Sequence, residues 1–490
     1  MAVLTMKHAA TAFGAAAAVA LAATVSVAAP VEEQQGLADQ MAAAVESENV
    51  LSHLQALEDI AADNDGNRAA GTSGYAASAR YIEAELRAAG YTPTRHYFPF
   101  ETTETETTSL VYRIDGRTTT IEHRPLTGSP DTEAGGVSGP LVLPAGASTG
   151  CSTADWAGVQ VDSAIAVVER GDCPFAAKSF AAQSAGAAAI IIYTTEIGAL
   201  NGTFGGASGR LTPATGVSQD EGAALVEAIN AHEPQDLIAT FELQRVIEER
   251  RTFNIIAETT GGDPDSVVVI GAHLDGAPEG PGINDNGSGS AAILEAAVQL
   301  AELTEDEGPQ NTVRFAWWGA EELGLIGSWE YVSDLQKDDS DELERIALYL
   351  NFDMVASPNY IVGVYDADES TYPAMTTPPP GSSAAEQVFT DYFDRLGQPW
   401  VDTAYSGRSD YAAFVAAGVP STGLFTGADG RKTADEVALF GGTEGILHDP
   451  NYHTEADDLA NINTNALDIM SRAIAYATGV FATDVSMLDE

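Results

Sequence analysis

The chain has 490 residues, 44% hydrophobic and 8% aromatic, which is globular composition and, at roughly 100–200 residues per domain, room for two or three folding units with sizeable cores. Its 72 acids against 22 bases leave a net charge of -50, and the acids are scattered along the chain with only four lysines among them (Lys7, Lys178, Lys337, Lys432). That balance argues against a nucleic-acid partner and describes a solvated acidic surface, suited either to a salty extracellular habitat or to plain solubility.

Residues 1–29 carry Lys7, then an uncharged Ala/Val/Leu run, then small residues before Pro30, the pattern of a signal peptide cleaved after Ala28 or Ala29. The run is short and Ala-rich beside the ~20 strongly apolar residues of a membrane span, and no later segment qualifies. The expectation is a secreted, extracellular protein, free of the membrane once the signal is removed. In that compartment disulfides persist, and the two cysteines, Cys151 and Cys173, favour one bridge over two buried thiols or a metal pair.

Residues 36–90 read as helical, with an amphipathic stretch over residues 76–86 that stops at Ala89-Gly90. A Thr-rich, strand-prone segment comes next, ETTETETTSLVYRIDG. The part from 36 to 125 is taken as the beginning of the main domain. From about 130 to 245 the texture changes to short β runs and many glycines, as in residues 163–168 and 185–193, which predicts a smaller inserted domain. From 250 to 490 continuous apolar runs (SVVVIGAH, TVRFAWW, IALYLNFD, STGLFT) alternate with helical stretches such as GSGSAAILEAAVQLAEL and AAEQVFTDYFDRLG. That alternation predicts an α/β fold with a mostly parallel central sheet sandwiched by helices. Ligands of such sheets sit beyond the carboxyl ends of the strands.

Polar residues gather at those ends. SVVVIGA runs into His273-Leu274-Asp275 and a Gly-rich loop with Asp285; TVRFAWWGA runs into Glu321-Glu322; IALYLNF runs into Asp353; and Tyr452-His453-Thr454 comes after a later loop. Two imidazoles and at least three carboxylates, with no thiolate, suit zinc and related divalent ions, and are enough for two ions sharing a bridge. Asn201-Gly202-Thr203 and Asn286-Gly287-Ser288 match the glycosylation sequon, and the second is discounted because it falls in the Asp285 loop.

The ordered motifs HLD, NDNGSG, AEELGLIGS, NFDM and YHT resemble the two-zinc aminopeptidases of the secreted bacterial (Streptomyces) type. Gly150-Cys151, the stretch VERGDCPF from Val168 to Phe175 and QSAGA from Gln183 to Ala187 resemble the protease-associated (PA) domain that some relatives carry as an insert. The resemblance implies the zinc exopeptidase fold with a smaller β-rich PA insert, two zinc ions per chain, and peptides with a free N-terminus as substrates. Calcium and oligomeric state are left open. Carried over residue by residue, it implies one ion on His273 and Asp353, the other on Glu322 and His453, and Asp285 between them. Asp275 is expected to orient the His273 imidazole. Glu321 is expected to take a proton from a water held between ions ~3.5–4 Å apart and return it to the leaving amine. Tyr452 would help hold the oxyanion, Arg408 would position substrate or a metal-site carboxylate, and Asp410 lies beside it in Gly407-Arg408-Ser409-Asp410-Tyr411. Glu321 and Asp353 are candidates for recognising the free amine. The family also carries a cis peptide after the bridging acid. The implied activity is removal of N-terminal residues, preferably large and apolar. The rival readings are a carboxypeptidase or dipeptidase of the same superfamily, a non-catalytic receptor-like binding protein, and a relative of the one-zinc glutaminyl cyclases.

Overall fold

Helices form where the sequence supplies both an apolar stripe and a cap. In α3 (Ser73–Ala88) the buried Tyr75, Ala79, Ile82 and Leu86 recur at helical spacing, the Thr72 hydroxyl accepts the Tyr75 N–H, and Gly90 follows at φ +92°. The computed structural model describes residues 36–490 except 196, 197, 199, 201, 205–210, 307, 374–376 and 490. The signal-peptide pattern of residues 1–29 and the sequon residue Asn201 lie outside the described residues. Leu37–Glu490 forms one unit.

In chain order, α1 (Leu37–Ala44), α2 (Ser47–Ala62) and α3 lead to β1 (Thr94–Ile114), β2 (Arg117–Thr120), β3 (Arg124–Pro125), β4 (Val137–Val142), β5 (Ile165–Glu169), α4 (Phe175–Ser184), β6 (Ala189–Tyr193), β7 (Ala214–Val217), α5 (Gln219–Ala231) and β8 (Ile238–Glu258). Then come β9 (Asp263–His273), α6 (Gly289–Leu303), β10 (Asn311–Trp318), α7 (Ile326–Asp338), α8 (Ser340–Glu344), β11 (Ile346–Phe352), β12 (Gly363–Tyr365), α9 (Ser382–Leu396), β13 (Val401–Thr403), α10 (Tyr411–Ala416), β14 (Ser421–Phe425), α11 (Ala434–Phe440) and α12 (Thr464–Thr483).

Among the described residues the strands run β13-β12-β14-β11-β9-β10-β8-β4-β5-β6-β7-β3. The centre, β14-β11-β9-β10, is parallel, and β10 meets β8 antiparallel. Side chains alternate between two cores, as a sheet covered on both faces requires. From β9, Val268, Ile270 and Ala272 join one core with Leu54 of α2, Ile82 of α3 and Phe389 of α9, whereas Val267 and Val269 join the other with Val332 of α7 and Phe414 of α10. Trp317 and Trp318 of β10 are fully buried in opposite cores, and each indole N–H is satisfied, by the Ser290 carbonyl (3.1 Å) and the Tyr349 hydroxyl (2.8 Å). Truncating a side chain of that size costs about 3–5 kcal/mol, so the end of β10 is firmly placed.

The inserted region repeats the architecture on a smaller scale. Its strands β4-β5-β6-β7 pair parallel, with Ala166 and Val168 packed toward α4 and Ile165 and Val167 toward α5. It carries helices as well as strands. It joins the main sheet through β1 and β8, antiparallel strands of 21 residues each, so no loop marks the edge near residue 245. Cys151 and Cys173 form a disulfide.

Candidate metal centre

Each functional side chain leaves the carboxyl edge of the main sheet. His273 is the last residue of β9. Its Nδ1 contacts the Asp275 carbonyl at 3.0 Å, which leaves Nε2 facing outward. The Asp275 carboxylate, expected to orient this ring, is 3.9 Å from Nδ1, and its hydrogen bonds come from the backbone N–H groups of Glu321 (3.2 Å) and Glu322 (3.4 Å). The physical reason is the turn itself: once the chain bends after His273, the carbonyl lies closer to the ring than the side chain does. The Asp275 side chain is then free to hold the turn that succeeds β10, where Ala320 stands at φ +60°.

The loop before α6 places Asp285 between the two imidazoles. Its Oδ1 is 3.3 Å from His273 Nε2 and its Oδ2 is 3.1 Å from His453 Nε2. The peptide after Asp285 is cis. Asn286 is buried, donating to the Phe352 carbonyl and accepting the Gly289 and Met354 N–H groups. Asp353, just past β11, stands 3.3 Å from His273 Nε2 and accepts the Ser409 hydroxyl at 2.7 Å. Glu322 Oε2 stands 2.9 Å from His453 Nε2, while its buried Oε1 has no hydrogen-bond partner. Glu321 Oε2 is farther out, 3.9 Å from His273 Nε2. Thus His273, Asp285, Glu322, Asp353 and His453 share one cluster, with Glu321 beside it.

Charge in this cluster is unbalanced. Burial and neighbouring carboxylates push Glu321 well above the usual carboxylate range, and Glu322 up to about 7. Burial also raises Asp410 to about 7; it is buried close enough to His273, Asp353 and Asp275 to feel their charges. Burial works against protonated His273 and His453, but the facing acids outweigh it, holding His453 at about 10 and His273 well above its ordinary value. Asp285 is held low against burial by its two imidazole contacts. Cations would replace these ring protons. The donors fit: groups about 2.0–2.1 Å from a tetrahedral zinc ion stand roughly 3.3 Å apart, the spacing His273 has with Asp285 and Asp353. Two donor groups suit an ion, His273–Asp285–Glu322 and His273–Glu321–Asp353. A third group, Asp366, Asp368 and Glu386, contains no imidazole, and its Asp366 and Glu386 carboxylates are taken up by backbone N–H groups of residues 367–372.

Tyr452 stacks on His453 with ring centroids 3.8 Å apart, and burial together with Asp285 and Glu322 keeps its hydroxyl protonated. Arg408 reaches that hydroxyl at 3.5 Å, but its ion pair is with Asp429 (3.0 Å) and not with an acid of the cluster.

Several residues of the site carry no signal in their local sequence. Arg68, between α2 and α3, is fully buried and donates to the carbonyls of Leu274, Pro281 and Gly282, threading past Gly282 where a side chain would not fit. Ser409 lies between the two residues singled out in its segment. Asp449, Asp457, Asn284 and Asn461 form a buried polar network beneath Asp285.

Residues 254–478 match peptidase family M28 and residues 137–225 match the PA domain. A probable lipoprotein aminopeptidase of Mycobacterium tuberculosis is 43% identical over 446 residues, 90% of this chain and 86% of that protein. A probable leucine aminopeptidase 2 of Aspergillus fumigatus is 38% identical over 444 residues, 90% of this chain and 84% of that one. The structure of a zinc aminopeptidase from Bacillus subtilis superposes with a TM-score of 0.65 at 25% identity, covering 88% of this chain and 94% of that one. Fold and matches together define an exopeptidase of α/β architecture with an inserted PA domain. The chain belongs to peptidase family M28, and its relatives place it among the aminopeptidases of that family.

Proposed function

We propose that this M28 enzyme is a secreted aminopeptidase that uses two zinc ions to remove N-terminal residues, large apolar ones by preference, from peptides. The observation that carries the reading is Asp285, whose two oxygens face the imidazoles of His273 and His453 at 3.3 and 3.1 Å. His273 and Asp353 would hold one ion, Glu322 and His453 the other, with Asp285 shared. When bound, such a pair polarises the scissile carbonyl and lowers the pKa of a shared water toward neutrality.

The rest of the chemistry belongs to side chains. Glu321, half-buried beside the cluster, accepts a proton from the attacking water and delivers it to the leaving amine. Tyr452 keeps its proton and so donates a hydrogen bond to the developing oxyanion; Arg408, anchored by Asp429, orients that hydroxyl. Asp275 secures both glutamates through their backbone N–H groups. The substrate's free ammonium suits the acid cluster, with Glu321 and Asp353 as its partners. The apolar preference rests on the leucine aminopeptidase name of the fungal relative, and zinc on that of the Bacillus structure. Secretion rests on the residue 1–29 pattern; no described helix is long and apolar enough to cross a membrane.

A carboxypeptidase needs a free cation for the substrate carboxylate, and Arg408 is already paired with Asp429. The deciding experiment compares leucine p-nitroanilide with its N-acetylated form and with an N-blocked peptide. Cleavage confined to the free amine is expected. Release of C-terminal residues from the blocked peptide at a comparable rate would reverse the assignment.

A further inference from the structure

Asp457 lies four residues beyond His453 and is 2% exposed. One oxygen accepts the backbone N–H of Asn284 (2.9 Å) and the Asn461 side-chain amide (3.0 Å); the other accepts the backbone N–H of Asp285 (3.0 Å). The Asp457 carbonyl accepts the Ile283 N–H at 3.0 Å. Four residues before His453, Asp449 accepts the Asn284 side-chain amide (2.6 Å) and the Asn461 amide (3.1 and 3.0 Å). The turn that carries Tyr452 and His453 is therefore tied to the Asp285 loop on both sides of the histidine. A buried acid in an acid-rich pocket is costly unless its oxygens are satisfied, and here the donors are the backbone of the loop it grips.

We propose that Asp457 is a positioning residue that sets the spacing between Asp285 and His453, and through it the affinity of the ion shared by Glu322, His453 and Asp285. This rests on the two-ion reading above. Successive N–H groups of Asn284 and Asp285 need two acceptor oxygens on one planar group. Asparagine supplies one oxygen and turns an NH2 toward the remaining N–H, so Asp457→Asn removes a grip while hardly changing volume. The His273–Asp353 side has no bond to Asp457 among the described residues and keeps its own supports, the Asp275 carbonyl and the Ser409 hydroxyl.

The test is calorimetric titration of metal-free wild type and Asp457→Asn with zinc, repeated with cobalt while its visible absorption is followed. Wild type should bind in two steps. The variant should lose about 10–100-fold in one step, as loss of a residue that orients a ligand typically does, and keep the other within a few-fold. Added zinc should restore its kcat at unchanged KM, which a general loss of structure would not allow. Should Asp457→Asn fail to fold, Asn461→Ser, which removes the amide that braces both Asp457 and Asp449, should shift the same step in the same direction by less. Two steps in wild type with both unchanged in the variants, or both weakened equally, would overturn the clamp alone. Binding of a single zinc ion per wild-type chain would overturn the two-ion reading and the clamp with it.

Discussion

Two buried cations, one in each half of the molecule, do the same mechanical job in different surroundings. Lys178 of α4 is fully buried and donates to the carbonyls of Thr149 (2.8 Å) and Gly171 (2.7 Å), pinning the segments that the Cys151–Cys173 bridge also joins. Arg68 is equally buried and pins the Leu274–Gly282 loop through carbonyls. Both halves centre on parallel strands between helices. Burial lowers the pKa of Arg68 to about 10 against the pull of Asp457, Asp275, Asp285 and Glu322, and lowers that of Lys178 against Asp172, Glu169 and Asp155; the acids around Arg68 are those of the cluster and its supports. The layered fold alone confers no chemistry; the residues just past the strand ends confer it. One half ends its strands in imidazoles and acids, the other in a disulfide-closed loop.

The sharpest way to break this contrast is inside the acid cluster. Glu321→Ala should lower kcat/KM by about 10²–10⁴-fold on a free-amine p-nitroanilide, measured by steady-state kinetics. His453→Ala should abolish activity and lose bound metal as well. Next comes Arg68→Met, which takes the donor from the Leu274 and Pro281 carbonyls and leaves Gly282 with the Gly287 N–H alone. It should cost on the order of 4 kcal/mol in thermal unfolding and weaken metal binding, because the loop it pins leads to Asp285. Cys151→Ser with Cys173→Ser, which opens a bridge across 22 residues, should cost about 3 kcal/mol and leave bound metal unchanged. Smallest is Lys178→Met, about 2 kcal/mol in thermal unfolding, with kcat/KM on a short substrate unaltered. Metal loss on Lys178→Met, or none on Arg68→Met, would dissolve the distinction between the halves.

Much of the architecture was legible because it is local. The apolar runs ending at His273, Trp318 and Phe352 are the central strands, and their alternation with amphipathic stretches announces helices on both faces. The five cluster residues stood out because each ends a strand or sits in a motif. The hidden part is long-range or made by the backbone. Arg68 acts on residues more than 200 positions away, and nothing around it marks a site. Asp449 and Asp457 are two acids among 72, distinguished only by burial. The Asp275 carbonyl that holds His273 has no side-chain signature at all. The edge of the insert was blurred because β1 and β8 run unbroken through it.

The central claim is the division of labour between adjacent glutamates, and metal analysis of wild type, Glu321→Ala and Glu322→Ala, purified side by side, tests it most directly. Expected are two zinc ions per chain in wild type and in Glu321→Ala, and fewer in Glu322→Ala. Loss of an ion from Glu321→Ala, with both kept in Glu322→Ala, would contradict it.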